Sequence, residues 1–236
     1  SSGQGGGSSP KGPAGPGWAN LRAMGIVSFL TSCERRADAW AAKRRPFLHP
    51  VRTPAGHVLT VDAPDDHPWH HGLWFAIKYV DDDNFWEEMA PYGVVRHLAA
   101  PTITERTDGS ITLTGDLHWT RPDRETVAIE EQRRITHVPI GDDAYAIDLD
   151  TTLVPTSDVR LDRTEFTTWG GYGGLTFRGR PDLTDTKLLL ADGSVHDRLT
   201  GTPSEWLDIS GTVDPDGANA PAGITLFDHP GNRRTP

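Results

Sequence analysis

The 236-residue sequence contains a single cysteine, Cys33, which excludes an intrachain disulfide and a zinc site built from cysteines. That usage fits a reducing compartment, and a cytoplasmic location is the expectation. No apolar run approaches the roughly 18–20 residues that a membrane-spanning helix needs, so no membrane partner is expected. Positive charge is in deficit: 23 Lys and Arg against 33 Asp and Glu leave a formal charge of −10. Such a balance repels nucleic-acid backbones and anionic lipid alike, and nucleic acid is not an expected partner. Glycine and proline, by contrast, are plentiful at 25 and 19 residues, too many for a helix-dominated chain. The length suits one β-sandwich with a tail, since single sandwiches commonly run to about 200–250 residues.

The composition changes near residue 45. Fourteen of the first seventeen residues are Gly, Ser or Pro, a stretch that cannot bury enough apolar surface to offset its ordering entropy. Residues 18–45 carry a short apolar patch and an Ala/Arg-rich segment able to form one helix. Leu30-Thr-Ser-Cys33 resembles a lipoprotein cleavage box, but the apolar run before it is short and no basic residue separates Met24 from it. Residues 1–44 are therefore expected to be a disordered or atypical tail, and residues 45–236 a β domain.

From Arg45 the pattern alternates with period 2 and is broken by Gly, Pro and Asp, the signature of antiparallel strands joined by frequent turns. Residues 111–119 place Ile111, Leu113, Leu117 and Trp119 on one face, and residues 144–154 do the same with Tyr145, Ile147, Leu149 and Leu153. Further strands are expected at 57–62, 73–80, 126–138, 173–178, 186–190, 205–210 and 223–228. Ten or so short strands without alternating helices predict an all-β sandwich or barrel, not a parallel α/β fold.

Four stretches could carry chemistry. The densest is Asp65-Asp-His-Pro-Trp-His-His-Gly72, which holds three of the ten histidines within five residues. Imidazole suits proton transfer near neutral pH, and it also ligates metals. Consecutive histidines on an extended chain point to opposite faces, so at most two of His67, His70 and His71 share one pocket. The bland alternative is a solvated turn. Second, the core-facing stripe of 126–138 carries Glu131, Arg133 and His137 beside Val127, Ile129 and Ile135. Charges there must be paired or open to a cavity, so Glu131 and Arg133 either neutralise one another or present Glu131 as a general base on a concave face. Third, Thr167-Thr-Trp-Gly-Gly-Tyr-Gly-Gly-Leu175 sets Trp169 and Tyr172 among glycines, which suits either stacking on a sugar ring or a bulge with core aromatics. Fourth, a strand runs into Asp228-His229-Pro230, repeating Asp66-His67-Pro68; two such corners could converge, each aspartate orienting its histidine, or the repeat is coincidence.

Arg45-Pro-Phe-Leu-His-Pro50, Asp66 through Trp74, Asn84-Phe-Trp-Glu87, Glu131-Gln-Arg133, Gly170-Gly-Tyr-Gly-Gly-Leu175 and Gly223 through Asn232 together resemble, in this order, a family of soluble bacterial proteins labelled "PmoA family". The label borrows the name of a membrane-embedded methane monooxygenase subunit, and a chain without apolar spans cannot carry that function. The resemblance implies a large antiparallel β-sandwich similar to galactose mutarotases and a role in carbohydrate metabolism. Relative to that family the first 44 residues differ and the C-terminal end is shortened, which would leave an open sheet edge through which a homodimer could form.

The expected function is an enzyme that moves protons on a sugar or sugar derivative, of epimerase, isomerase or lyase type. His67 or His70 would act as acid and Glu131 or Glu87 as base, with His229 as a further catalytic candidate. His71, Trp74, Trp86, Arg133, Trp169, Tyr172, Asp228 and Asn232 would bind the substrate. A non-catalytic carbohydrate-binding or regulatory sandwich would use the same aromatics. A cupin-like metal enzyme would use His67, His70 and His229 as ligands; no cofactor is otherwise expected, and a divalent metal fits only that reading.

Overall fold

Alternating apolar residues with Val, Ile, Thr and aromatic side chains favour strands, and the described residues form fifteen of them. The structure, a computed structural model, describes residues 45–165, 173–213 and 219–232, and no helix occurs among them. The strands are β1 (Phe47–Leu48), β2 (Leu73–Ile77), β3 (Tyr79–Val80), β4 (Asp83–Asn84), β5 (Val94–His97), β6 (Thr102–Glu105), β7 (Ile111–Thr120), β8 (Val127–Ile140), β9 (Ala144–Pro155), β10 (Leu161–Asp162), β11 (Gly173–Phe177), β12 (Thr184–Leu190), β13 (Val195–His196), β14 (Trp206–Val213) and β15 (Ala220–Phe227).

All pairings are antiparallel. The largest sheet runs β5-β7-β8-β9, with β6 also paired to β7, and its long central ladder matches Leu113 with Ile135 and Leu117 with Glu131. A three-stranded sheet, β1-β2-β11, lies against it, and the small β10-β3-β4 sheet continues that layer. A fourth sheet, β13-β12-β14-β15, reaches the core through Leu226. The fold is an all-β sandwich of antiparallel sheets.

The core follows from period 2. Leu48 and Leu73 meet Ile111, Leu113 and Ile135 between the two layers, while Phe75 and Ile77 join Val80, Phe85, Leu117, Trp119 and Ile129. The intervening residues of β2, Trp74 and Ala76, point the other way and pack with Trp86, Phe47 and Trp69. Strand β2 thus carries two apolar faces, one between the sheets and one behind them.

The strands expected at 111–119, 126–138, 144–154, 173–178, 186–190, 205–210 and 223–228 are present with small shifts in their ends. The stretch 57–62 is not a continuous strand. It makes single bridges to three different partners, Val58 to Arg52, Thr60 to Gly179 and Asp62 to His71, because the turn at Thr53–Gly56 and the one after Ala63 leave too little length for a ladder. The expected helix in residues 18–45 lies, apart from Arg45, outside the described residues.

Candidate functional site

Two successive turns shape the histidine-rich loop. His67 N–H donates to Pro64 C=O at 3.0 Å and His70 N–H to His67 C=O at 2.9 Å, and the loop closes where Ala63 N–H meets His70 C=O at 2.8 Å. This brings His67 and His70 ring over ring, with centroids 4.6 Å apart and planes 18° from parallel. His70 lies beside Trp74 and Trp86 at 5.2 and 5.9 Å, and the two indoles are 5.5 Å apart. Asp66 fastens the loop by accepting from the Arg178 guanidinium and bonding His67 Nδ1 at 2.9 Å. The His67 bond, followed by Arg178, holds its carboxyl at about 2. Gly72 then enters β2 at φ +59°, where a Cβ would stand 2.4 Å from Leu48 O; only glycine fits that close approach.

His71 turns away from His70, as adjacent residues on extended backbone must. It stacks on Phe47 at 4.7 Å, and its Nδ1 and Nε2 bond Asp62 at 2.6 Å and Glu88 at 3.2 Å. Burial pulls its pKa down, but the two carboxylates outweigh this and leave it raised. His70 is the opposite case. Burial first, then the charges of His67, Arg178 and Arg45, push it down to about 4, so its imidazole is neutral near pH 7.

The second wall of the site comes from residues 84–88. Asn84 Oδ1 accepts from the backbone N–H of Trp86 at 2.8 Å and of Glu87 at 3.1 Å, a side-chain turn of the type asparagine favours. Phe85 drops into the inter-sheet core while Trp86 joins Trp74 on the other face. Glu87 Oε1 accepts from Lys78, which follows Trp74 and Ala76 along the same face. Arg45, 5% exposed, donates to the Trp86 carbonyl and stands 3.8 Å from Glu88. Burial lowers it to about 10 against the pull of Glu88 and Glu87.

Several buried polar atoms on this face have no hydrogen-bond partner among the described residues: Arg45 Nε and Nη1, both ring nitrogens of His70, Trp74 Nε1 and Glu87 Oε2. Native folds leave few such atoms, and each costs about 1–3 kcal/mol when unmet.

Residues 24–236 match the family of unknown function DUF6807. The chain belongs to that family. The match begins upstream of Arg45 and takes in the whole described region. No curated protein and no solved structure matches this DUF6807 chain.

The remaining expected site residues of the DUF6807 chain fall elsewhere. Glu131 and Arg133 face the core, as the alternation requires, but between the sheets, on the opposite side of β2 from His70. Glu131 is 1% exposed. It accepts from Trp119 Nε1 at 2.7 Å, Arg133 Nε at 2.6 Å, Arg133 Nη2 at 3.0 Å and the Thr151 hydroxyl at 2.6 Å. Every lone pair direction is taken, so of the two readings the ion pair is the one seen. His229 sits on an exposed corner after β15, where its Nδ1 accepts from Gly231 N–H at 3.0 Å, and Asn232 donates to Asp228 at 2.7 Å. The two Asp-His-Pro corners do not meet, because the second ends a strand of a different sheet. The trio His67, His70 and His229 is therefore not assembled, and no group of three or more His, Cys, Asp or Glu able to hold a metal occurs among the described residues. No helix there is long and apolar enough to cross a membrane. Trp169 and Tyr172 lie outside the described residues.

Arg45, Asp62, Lys78 and Glu88 belong to the site without having been expected there. Lys78 was signalled by the period-2 continuation of Trp74 and Ala76, and Arg45 by its place at the head of the Arg-Pro-Phe stretch. Asp62 and Glu88 carry no local signal, since their partner His71 is 9 and 17 residues away.

Proposed function

We propose that this chain binds a carbohydrate or sugar-derived small molecule on the Trp74–Trp86 face and moves a proton on it, in the manner of an epimerase, isomerase or lyase. The observation that supports this is the concentration of unmet buried polar atoms on one aromatic-walled face. A polyhydroxylated ring offers what those atoms lack, hydroxyls that accept from Arg45 and Trp74 and donate to Glu87; because Trp74, Trp86 and Arg45 are 2, 3 and 5% exposed, the ring reaches them only as this face opens.

His70 is the proton-transfer group. Its neutral imidazole has one acceptor and one N–H, and neither nitrogen is engaged by protein. It can take a proton at one nitrogen while giving one from the other, which is what exchange between an anomeric hydroxyl and a ring oxygen requires. Glu87 holds the reacting hydroxyl through Oε2, while its Oε1 accepts from Lys78. His71, locked between Asp62 and Glu88, positions the loop. Glu131 plays no part in this reading.

The test is incubation with aldoses and 3-keto-sugars, followed by polarimetry and by NMR of solvent-exchanged protons. Conversion above background, reduced at least 100-fold in His70→Ala with the fold retained, is expected for a general acid–base group. Undiminished turnover by His70→Ala would overturn the assignment. Binding without conversion in the wild type would favour the carbohydrate-binding module instead.

A further inference from the structure

We propose that Arg45 recognises a carboxylate, so that the sugar taken by this site is an acidic one such as a uronic or aldonic acid. The inference deepens the reading above and rests on it. Among the described basic side chains around the face, Lys78, His71 and Arg178 are matched by carboxylates at hydrogen-bond distance. Lys78 is held by Glu87, and His71 by Asp62 and Glu88. Arg45 differs. Its Nη2 is spent on an uncharged acceptor, the Trp86 carbonyl. Its carboxylate neighbour, Glu88, stands at 3.8 Å and is already shared with His71.

Two N–H-bearing nitrogens of that guanidinium, Nε and Nη1, are buried with no acceptor among the described residues. Arg45 remains charged at neutral pH, and a buried guanidinium without a hydrogen-bonded anion is strongly destabilising. A neutral hydroxyl would satisfy a donor but leave the charge. A carboxylate satisfies both, through short charge-assisted bonds. Trp74 Nε1, buried and equally unpartnered, adds a second donor on the same face. The proton-transfer chemistry also gains from this arrangement, because an anchored carboxylate fixes the sugar ring relative to His70.

The experiment is calorimetric titration of the whole chain with matched pairs, glucose against glucuronate and galactose against galacturonate, at low and high sodium chloride. The expected result is a uronate that binds at least about tenfold more tightly than its neutral partner, as charged hydrogen bonds imply, with the margin shrinking as salt rises. Arg45→Met should erase the margin, and Arg45→Lys, which keeps the charge and loses the fork, should reduce it. If Arg45→Met does not fold, Arg45→Lys and the wild-type salt dependence decide the matter. Equal or better binding of the neutral sugar by the wild type overturns the acidic-substrate inference and leaves the carbohydrate reading standing. Binding of neither member of either pair overturns both.

Discussion

The side chains of greatest consequence are charged groups removed from water, and they behave in two ways. Glu131 and Arg133 form a closed set in which each partner exists to satisfy the other. Arg133→Met would leave a carboxylate that is 1% exposed with only Trp119 and Thr151 as donors. Removal of one member of a buried pair costs about 3–5 kcal/mol, so urea unfolding should show a loss of that order, with the proposed sugar binding unchanged while the protein stays folded. The histidines set the pH response, in two opposite senses. His71 has a raised folded pKa, so its stabilisation is complete below the unfolded value of 6.5 and is lost as pH rises through the folded one. His97 and His70 are held down to about 4, mainly by burial. They are neutral in the fold at neutral pH, and stability is lost as pH falls from 6.5 toward 4. Urea midpoints measured across pH 4–8 should therefore fall on both sides, and His71→Gln should flatten the alkaline limb alone. An unchanged alkaline limb in that variant would show that the Asp62 and Glu88 bonds do not stabilise the fold.

At the scale of elements, two short devices aim the site. Gly72 lets the chain pass Leu48 O on its way into β2; Gly72→Ala combines a positive φ with a contact at 2.4 Å and should cost well over the roughly 1 kcal/mol of an ordinary glycine replacement. The turn built by Asn84 places Trp86 and Glu87; Asn84→Ala should lower stability by about 1–2 kcal/mol, as loss of hydrogen bonds to buried backbone does, and weaken sugar binding more than Gly115→Ala, which lies in β7 beside His97. Much of this level was legible in the sequence. The period-2 stripe of 126–138 put Ile129, Glu131, Arg133 and Ile135 on the buried face, because register along a long ladder is fixed by which face is apolar. The opposed directions of His70 and His71 followed from backbone geometry. Unreadable were the two-residue pieces β1, β4, β10 and β13, too short for any period. So was the separation of Glu131 from His70, since alternation assigns a face and does not say which side of a two-sided strand that face meets. Arg45 was obscured for another reason: its carbonyl partner is 41 residues away, and only tertiary packing joins them.

At the scale of the whole molecule, the burial is uneven. The β7–β8 ladder buries Ile111, Leu113, Leu117, Trp119, Ala128, Ile129 and Ile135 together with Glu131, Arg133 and His137, whereas among the described residues of the β12–β15 sheet only Leu190 and Val213 are buried. Amide exchange tracks local opening, and segments with few buried apolar contacts open first. Amides of β14 should exchange faster than those of β7 and β8 under native conditions, as read by mass spectrometry or NMR. Equal protection across both would mean that the two sheets unfold as one unit.

Strand β2 has a practical implication for anyone wishing to retune this protein. Its odd-numbered residues, Leu73, Phe75 and Ile77, brace the interior, while Trp74 and Ala76, with Lys78 just beyond the strand, form the wall of the proposed site. The proposed recognition face and the inter-sheet core are thus interleaved along a single stretch. A library that varies 74, 76 and 78 would also repack the cluster behind the sheet, since these residues are 2, 1 and 5% exposed, whereas inserting one amino acid anywhere between them would scramble both faces at once.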